Sequence, residues 1–353
     1  MAEYASLIPV NVITGFLGSG KTTVLRQLLA SPQLHDTAVL INEFGEVGLD
    51  HHLLQRVDES TVLLQSGCIC CTIRGDLQTS IRDLFSRRER GEVPPFRRLA
   101  IETTGLADPA PILYTILADP VIQHHFRLGN IVTTVDAVNA PAQLERHPET
   151  AKQIAVADRL ILTKTDLAEA AAVESLEAKL RAMNPSAPLV RAADGPLEPD
   201  SLLTSDIYEA ESRTAEIRRW VERALKPEHR GGVPHGRDAN GEYPNGHDPN
   251  RHGEDIEGFC LTFEQPLDWS AFGIWLTMLL QRHGERVLRV KGILNTVDMP
   301  TPVVVHGVQH IVHPPVHLDA WPDAERRSRI VFIVQGIPRQ QIEASLAAFN
   351  ALA

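Results

Sequence analysis

The sequence is poor in the residues that would place it in several common classes of protein. It has only four cysteines in 353 residues, three of them within four positions, so it lacks the disulfide framework of a small secreted domain. No apolar run reaches the length of about 18 residues that a membrane-spanning helix needs, so we expect no contact with a membrane. Lys and Arg number 34 against 45 Asp and Glu, for a net charge of -11. Because neutralising phosphates needs clustered basic side chains, we expect no nucleic-acid partner.

The N-terminus leads almost directly into a predicted strand over residues 7–13, which leaves no room for a signal peptide. Together with the few, clustered cysteines, this predicts a cytoplasmic protein in a reducing environment. A chain of 353 residues is long enough to form two domains.

The most specific pattern in the chain lies close to the N-terminus. Residues 15–22 read G-F-L-G-S-G-K-T and match the phosphate-loop pattern at every fixed position. The stretch follows the strand predicted at 7–13 and precedes a predicted helix at 22–29, and this context makes a chance glycine-rich turn the weaker interpretation.

Each residue type in this loop has a physical role. The glycines let the backbone N–H groups approach a polyphosphate, Lys21 reaches the outer phosphates, and the Thr22 hydroxyl can bind Mg²⁺. The predicted nucleotide-binding residues of the loop are Gly15, Gly18, Ser19, Gly20, Lys21, Thr22 and Thr23.

The first half of the chain alternates predicted strands with predicted helices, which is typical of a parallel sheet covered on both faces. Polar clusters follow the carboxyl ends of these strands, and ligands bind at that edge in open α/β sheets. We therefore expect one edge to carry the phosphate loop, Glu43, the cysteine cluster after the strand at 61–64, Glu102 and Asp166.

The second half has a different composition. Residues 226–257 interleave Gly, Pro, Asn and charged residues with four histidines, and contain too little apolar surface to form a core. The sequence predicts an α/β phosphate-loop NTPase domain with a mostly parallel sheet over residues 1–225. A flexible, histidine-bearing linker over 226–257 and a smaller α+β domain over 258–353 complete the prediction.

Glu102 and Gly105 follow a predicted strand at 99–101. A carboxylate at this place can hold Mg²⁺ through water, and the Gly105 N–H can contact a γ-phosphate. We predict that Glu102 acts with Lys21 in catalysis and that Gly105 binds the nucleotide. The alternative is that Glu102 only caps a turn.

Residues 163–166 read T-K-T-D, and this stretch predicts which base is bound. The Asp166 carboxylate can accept the N1–H and N2–H₂ groups of guanine, which adenine does not offer, while the Lys164 stem packs on the ring. The pattern favours GTP, although Thr163 stands where the familiar GTPase pattern has asparagine. The alternative role for Asp166 is to cap a helix predicted over 167–183.

Cys68, Cys70 and Cys71 form a C-x-C-C motif. Thiolates are soft ligands that favour zinc and also bind cobalt. Because Cys70 and Cys71 point apart in an extended chain, further ligands are needed, and Glu43 is a candidate. The alternative is a set of buried, inert cysteines, as we expect for the isolated Cys260.

In combination, these motifs resemble the CobW-like branch of metal-handling GTPases, which are related to the urease and hydrogenase maturation GTPases. The resemblance covers nearly the whole chain. The N-terminal part carries G-F-L-G-S-G-K-T-T, N-E-F-G-E, G-C-I-C-C, E-T-T-G and T-K-T-D in the order of the family. The C-terminal part carries R-V-K-G-I-L at 289–294 and S-R-I-V-F-I at 328–333.

The resemblance implies GTP hydrolysis with Mg²⁺, for which Lys21 and Thr22 match the family's nucleotide residues. Glu102 matches its Mg²⁺-side carboxylate, and Lys164 with Asp166 matches its guanine reader.

The resemblance also implies a transition metal, zinc or in some members cobalt, held by Cys68, Cys70 and Cys71 with help from Glu43. The metal would be delivered to a client metalloprotein, and a homodimer is compatible with the sequence.

We expect slow hydrolysis by the protein alone, because no arginine finger or catalytic glutamine can be assigned. Two other functions fit the same motifs. One is a small-molecule kinase with a structural zinc site, and the other is a non-catalytic scaffold that nucleotide and metal hold together.

Overall fold

The computed structural model describes residues 2–41, 54–56, 61–64, 69–72, 76–208, 212–224, 256–297 and 299–351, with the backbone alone described between residues 42 and 75. Within these residues the chain forms two compact units. The first is Met1–Ala140, Val156–Glu177 and Ala187–Glu216, and the second is Pro141–Ala155, Ala178–Ser186 and Ile217–Ala353. The predicted linker at 226–257 lies almost wholly outside the described residues and stays a prediction.

The described strands, in chain order, are β1 Ile8–Gly15, β2 Thr37–Ile41, β3 Leu54–Arg56, β4 Thr61–Leu64, β5 Ile69–Thr72, β6 Arg98–Glu102, β7 Phe126–Asp136, β8 Arg159–Thr163, β9 Leu189–Arg191, β10 Ile256–Phe263, β11 Val287–Thr296, β12 Met299–Val308, β13 Ile311–Val312, β14 Val316–His317 and β15 Ser328–Gln335. The described α-helices are α1 Ala2–Ala5, α2 Lys21–Leu29, α3 Leu77–Glu89, α4 Ala110–Ala118, α5 Ile122–His125, α6 Ala140–Arg146, α7 Pro148–Val156, α8 Ala170–Met183, α9 Arg213–Ala224, α10 Trp269–His283 and α11 Arg339–Asn350. None of these helices is both long and apolar enough to cross a membrane.

The first sheet contains nine described strands in the order β3-β4-β5-β2-β6-β1-β7-β8-β9. The strands from β5 to β9 in this order run parallel, while β3 and β4 are antiparallel additions at one edge. A parallel strand covered on both faces is apolar along most of its length, and all five residues of β2 are buried, four of them apolar. The helix α2 packs Val24, Leu25 and Leu28 into the core that covers this sheet. The predicted mostly parallel α/β domain is confirmed.

The second sheet is antiparallel and has the order β10-β15-β11-β12-β13, with β14 paired to β12. The helices α10 and α11 contribute Trp275, Leu276 and Leu346 to the core of this sheet. Asp268 is the N-cap of α10, and its carboxylate accepts a hydrogen bond from the Ala271 N–H at 2.7 Å. The predicted smaller α+β domain is confirmed.

Cys260 lies in β10 and is partly buried. Burial raises the pKa of this thiol to about 11, so it stays protonated at neutral pH. A protonated thiol is a poor metal ligand.

A buried ion pair ties the start of β7 to the segment that follows the short helix Asp200–Thr204. Arg127 donates to the Asp206 carboxylate at 2.5 Å, and both side chains are almost fully buried. The Arg127 guanidinium also lies over the Tyr208 ring, 5.5 Å from its centroid. Removing one member of such a pair leaves an uncompensated buried charge.

We expect Asp206→Asn to lower the free energy of unfolding by about 3–5 kcal/mol, because Arg127 loses its ion pair with a buried carboxylate. Urea denaturation followed by circular dichroism measures this loss. Asp83→Asn is the matched control, since Asp83 is exposed on α3. Losses of similar size in both variants would contradict the assignment.

Candidate functional site

The phosphate loop connects the end of β1 to the start of α2, as the sequence predicts. Gly15 has a φ of 138°, and a Cβ atom there would lie 2.4 Å from the Thr134 carbonyl oxygen, so only glycine fits. Gly20 has a φ of 92° and is the N-cap of α2. A loop of this shape, ending at a helix N-terminus, directs backbone N–H groups toward an anion.

The Lys21 side chain lies inside this loop. It is only 4% exposed, and its Nζ atom donates to the carbonyl oxygens of Gly15 and Phe16 at 3.2 Å each. The ammonium group is therefore held inside the loop that is predicted to bind the outer phosphates of a nucleotide.

The structure brings Thr22 and Glu102 together. Glu102 is the last residue of β6 and is fully buried, and its Oε1 atom accepts a hydrogen bond from the Thr22 hydroxyl at 2.5 Å. Oxygen ligands of this kind suit Mg²⁺, which keeps several waters and phosphate oxygens and needs few protein ligands. The two side chains therefore fit the predicted Mg²⁺ site, where the ion would neutralise charge on the outer phosphates.

The loop that follows β6 packs directly against the phosphate loop. A Cβ atom on Gly105 would lie 2.5 Å from the Leu17 backbone nitrogen, so the two loops touch without space for a side chain. The Thr103 hydroxyl also donates to the Thr14 hydroxyl of β1 at 2.9 Å. These contacts place Gly105 beside the phosphate loop, and its contact with the nucleotide stays a prediction.

Two other predicted loop residues differ in exposure. The Ser19 hydroxyl is buried and pairs with the Thr134 hydroxyl at 2.6 Å, so its side chain is directed into the sheet. A contact between Ser19 and phosphate would therefore use the backbone. The Thr23 side chain is exposed on the first turn of α2.

The predicted guanine-recognition segment follows β8 at the same edge of the sheet. Lys164 has a φ of 58°, and its Nζ atom donates to the Asp136 carboxylate at 2.7 Å. Asp166 is exposed within the short helix Thr165–Leu167, and α8 begins only at Ala170. The alternative in which Asp166 caps a helix starting at residue 167 is therefore wrong.

Asp136 belongs to this site, although we did not assign it a role from the sequence. Burial alone would raise the pKa of its carboxyl group, but hydrogen bonds from Lys164 and Asn139 hold the pKa below its ordinary value. Asp136 is therefore ionised at neutral pH and orients the Lys164 side chain. Its position directly at the end of β7 is the signal that could have identified it.

The cysteine motif is only partly described. Cys70 and Cys71 lie within β5, where they pair in register with Val39 and Leu40 of β2, while Cys68 and Glu43 lie outside the described residues. The expectation that the cysteine cluster lies directly after the carboxyl end of the strand at 61–64 is wrong for Cys70 and Cys71, which lie within a strand of their own. The strand at 61–64, β4, is antiparallel to β5, so Cys70 and Cys71 belong to the strand that runs back alongside β4.

The segment forms a strand for a local reason. Its outer residues, Ile69 and Thr72, are β-branched, and cysteine behaves as a small apolar residue that fits a pleated surface. Within the described part of the chain, no three His, Cys, Asp or Glu residues are grouped so that they could hold a metal ion.

The loop, its lysine, the partly buried Thr22–Glu102 contact and the T-K-T-D segment define a phosphate-loop GTPase with a second, antiparallel domain. Residues 9–191 match the family model described as the CobW/HypB/UreG nucleotide-binding domain, and residues 256–350 match the cobalamin synthesis protein cobW C-terminal domain. The chain belongs to the CobW/HypB/UreG family of GTPases, and the predicted resemblance is confirmed.

Named relatives extend this result. The chain is 30% identical to the zinc chaperone YjiA of Escherichia coli, over 97% of this chain and 99% of that protein. It is 26% identical to the zinc chaperone CobW of Sinorhizobium sp, over 98% and 97% of the two chains. It is also 34% identical to the zinc-regulated GTPase metalloprotein activator 1 of Schizosaccharomyces pombe, over 57% of this chain and 50% of that protein.

A solved structure agrees with the fold. The crystal structure of the Zn(II)-bound YjiA GTPase from E. coli superposes with a TM-score of 0.71 at 30% identity. The superposition covers 97% of this chain and 99% of that one. Both domains therefore have counterparts in a GTPase of known structure.

Proposed function

We propose that this protein is a GTP-hydrolysing metallochaperone that binds zinc at Cys68, Cys70 and Cys71, with Glu43 as a further ligand, and delivers it to a client metalloprotein. Relatives named zinc chaperone and metalloprotein activator support this proposal. Co²⁺ is the alternative metal. The reducing cytoplasm suits such a protein, because thiolate ligands must stay reduced.

One observation supports nucleotide control of the metal. Through the register of β5, β2 and β6, Thr72 is level with Ile41, and Ile41 is level with Glu102. Cys71 therefore precedes by one residue the position on β5 that is level with Glu102. The strands β5 and β6 are separated by two strand spacings, about 10 Å.

The ends of β6 and β2 also link the nucleotide site to the proposed metal site. Glu102 contacts Thr22 of the phosphate loop, and Glu43 follows the end of β2 by two residues. A nucleotide that orders the Thr22–Glu102 contact would change the end of β2, and with it the position of Glu43 relative to the cysteines.

Such coupling predicts that zinc affinity depends on the nucleotide. We expect the reduced, metal-free protein to bind Zn²⁺ at least about fivefold more tightly with Mg²⁺ and a non-hydrolysable GTP analogue than with Mg²⁺-GDP. Competition with a chromophoric chelator measures both affinities, and the same titration with Co²⁺ compares the two metals.

Asp166→Ala is the matched control for this experiment. Loss of the guanine contact should remove the difference between the two nucleotides at moderate nucleotide concentration while zinc still binds. Equal zinc affinity of the unaltered protein in both nucleotide states would rule out a nucleotide-controlled carrier. Phosphate transfer to an acceptor other than water would instead support a kinase, and no phosphate release above background would support a scaffold.

A further inference from the structure

Thr163, the residue that replaces the usual asparagine, contacts the phosphate loop directly. Its hydroxyl donates to the Ser19 carbonyl oxygen at 2.8 Å and also lies 3.2 Å from the Val135 carbonyl oxygen. The side chain is buried, and its methyl group would lie 3.4 Å from a Cβ atom placed on Gly20. Thr163 therefore packs on the peptide that joins Ser19 to Gly20.

This contact fixes the direction of one N–H group. In a trans peptide the C=O and the N–H point in opposite directions, so a hydroxyl that holds the Ser19 carbonyl points the Gly20 N–H away from β8. Gly20 is the N-cap of α2, and the N–H groups at the start of a helix have no intrahelical acceptor. These are the groups that bind phosphate at a helix N-terminus.

Ser19 is held from two sides. Its hydroxyl pairs with Thr134 of β7, while its carbonyl accepts from Thr163 of β8. The residue after Thr163 is Lys164, which turns in the left-handed conformation toward Asp136. The end of β8 thus supports the phosphate loop at one residue and begins the guanine-recognition segment at the next.

We infer that Thr163 is a positioning residue of the GTPase reaction, whose hydroxyl orients the Ser19–Gly20 peptide so that its N–H binds the phosphates. Thr163 acts through the loop and does not touch the nucleotide. This inference rests on the proposed placement of guanine at Lys164 and Asp166.

Three variants test the inference. Thr163→Val keeps the shape of the side chain and removes the hydroxyl, and Thr163→Ser keeps the hydroxyl. Thr37→Val makes the same chemical change at the first residue of β2, where the buried hydroxyl has no hydrogen-bond partner among the described residues. Displacement of a fluorescent GDP analogue by a non-hydrolysable GTP analogue and by guanosine measures two affinities for each variant.

We expect Thr163→Val to bind the GTP analogue about tenfold more weakly, the effect of one lost hydrogen bond, with unchanged affinity for guanosine, which has no phosphate. Thr163→Ser should restore the affinity, and Thr37→Val should match the unaltered protein. If Thr163→Val does not fold, Thr163→Ala compared with Thr163→Ser makes the same test.

Equal losses for the GTP analogue and guanosine would overturn the inference, because they would show that Thr163 supports the base site or the fold. Unchanged affinity for both ligands would overturn it as well. If guanosine does not displace the fluorescent analogue from the unaltered protein, the proposed guanine site fails, and the inference fails with it.

Discussion

Replacing Lys21 with alanine should lower the rate of GTP hydrolysis at least about a hundredfold, because it removes a preorganised positive charge from the site where negative charge must be stabilised. The Nζ atom lies 3.2 Å from the Gly15 and Phe16 carbonyl oxygens, so the ammonium is already inside the loop. Alanine favours the helix that begins at this residue, so α2 should remain.

Phosphate release with protein in excess over GTP is the suitable measurement, because we expect turnover by the protein alone to be slow. Lys179→Ala is the matched control, since it removes the same charge from an exposed position on α8. A loss of less than about tenfold in Lys21→Ala would contradict the assignment, since removing a group of this kind costs more. An equal loss in both variants would also contradict it.

Replacing Cys68, Cys70 and Cys71 together with serine should weaken zinc binding at least about a thousandfold, because thiolates supply most of the binding free energy of such a site. Serine is nearly isosteric with cysteine but offers a hydroxyl that stays protonated. Competition with a chromophoric chelator under reducing conditions measures the change.

Cys260→Ser is the matched control for the triple replacement. Its thiol, with a pKa of about 11, is protonated at neutral pH, so its replacement should leave zinc affinity unchanged. Stoichiometric zinc binding that survives the triple replacement would show that the metal site lies elsewhere in the chain.

The nucleotide loop could be predicted from the sequence because its determinants are local. The glycine spacing, the lysine and the flanking strand and helix all lie between residues 7 and 29, and each of them is explained by one structural requirement of the phosphate loop. Asp268 as the cap of α10 is another local case, since the capping side chain and the N–H that it accepts are three residues apart.

The contacts between distant residues could not be predicted in this way. Thr163 reaches Ser19 across 144 residues, and Lys164 pairs with Asp136 across 28. Both contacts depend on the order of β1, β7 and β8 in the sheet, which hydrophobic patterns along the chain do not specify.

The cysteine segment shows a different difficulty. Placing the cysteines at the carboxyl end of the strand at 61–64 required β4 to run parallel with its neighbours. Instead β4 is antiparallel to β5, and β5 runs parallel to β2. Strands of four residues have too few positions to reveal direction, and cysteine occurs both in metal-binding loops and in buried strands.

The close packing around Gly15 and Gly105 changes how a survey of all single substitutions should be interpreted. A methyl group at either position would collide with backbone atoms, of Thr134 in one case and of Leu17 in the other. Both positions should reject every other residue even when the protein only has to fold. Intolerance of substitution at these two glycines therefore reflects steric fit. Intolerance at Lys21, where the helix accepts many residues, reflects the loss of its positive charge.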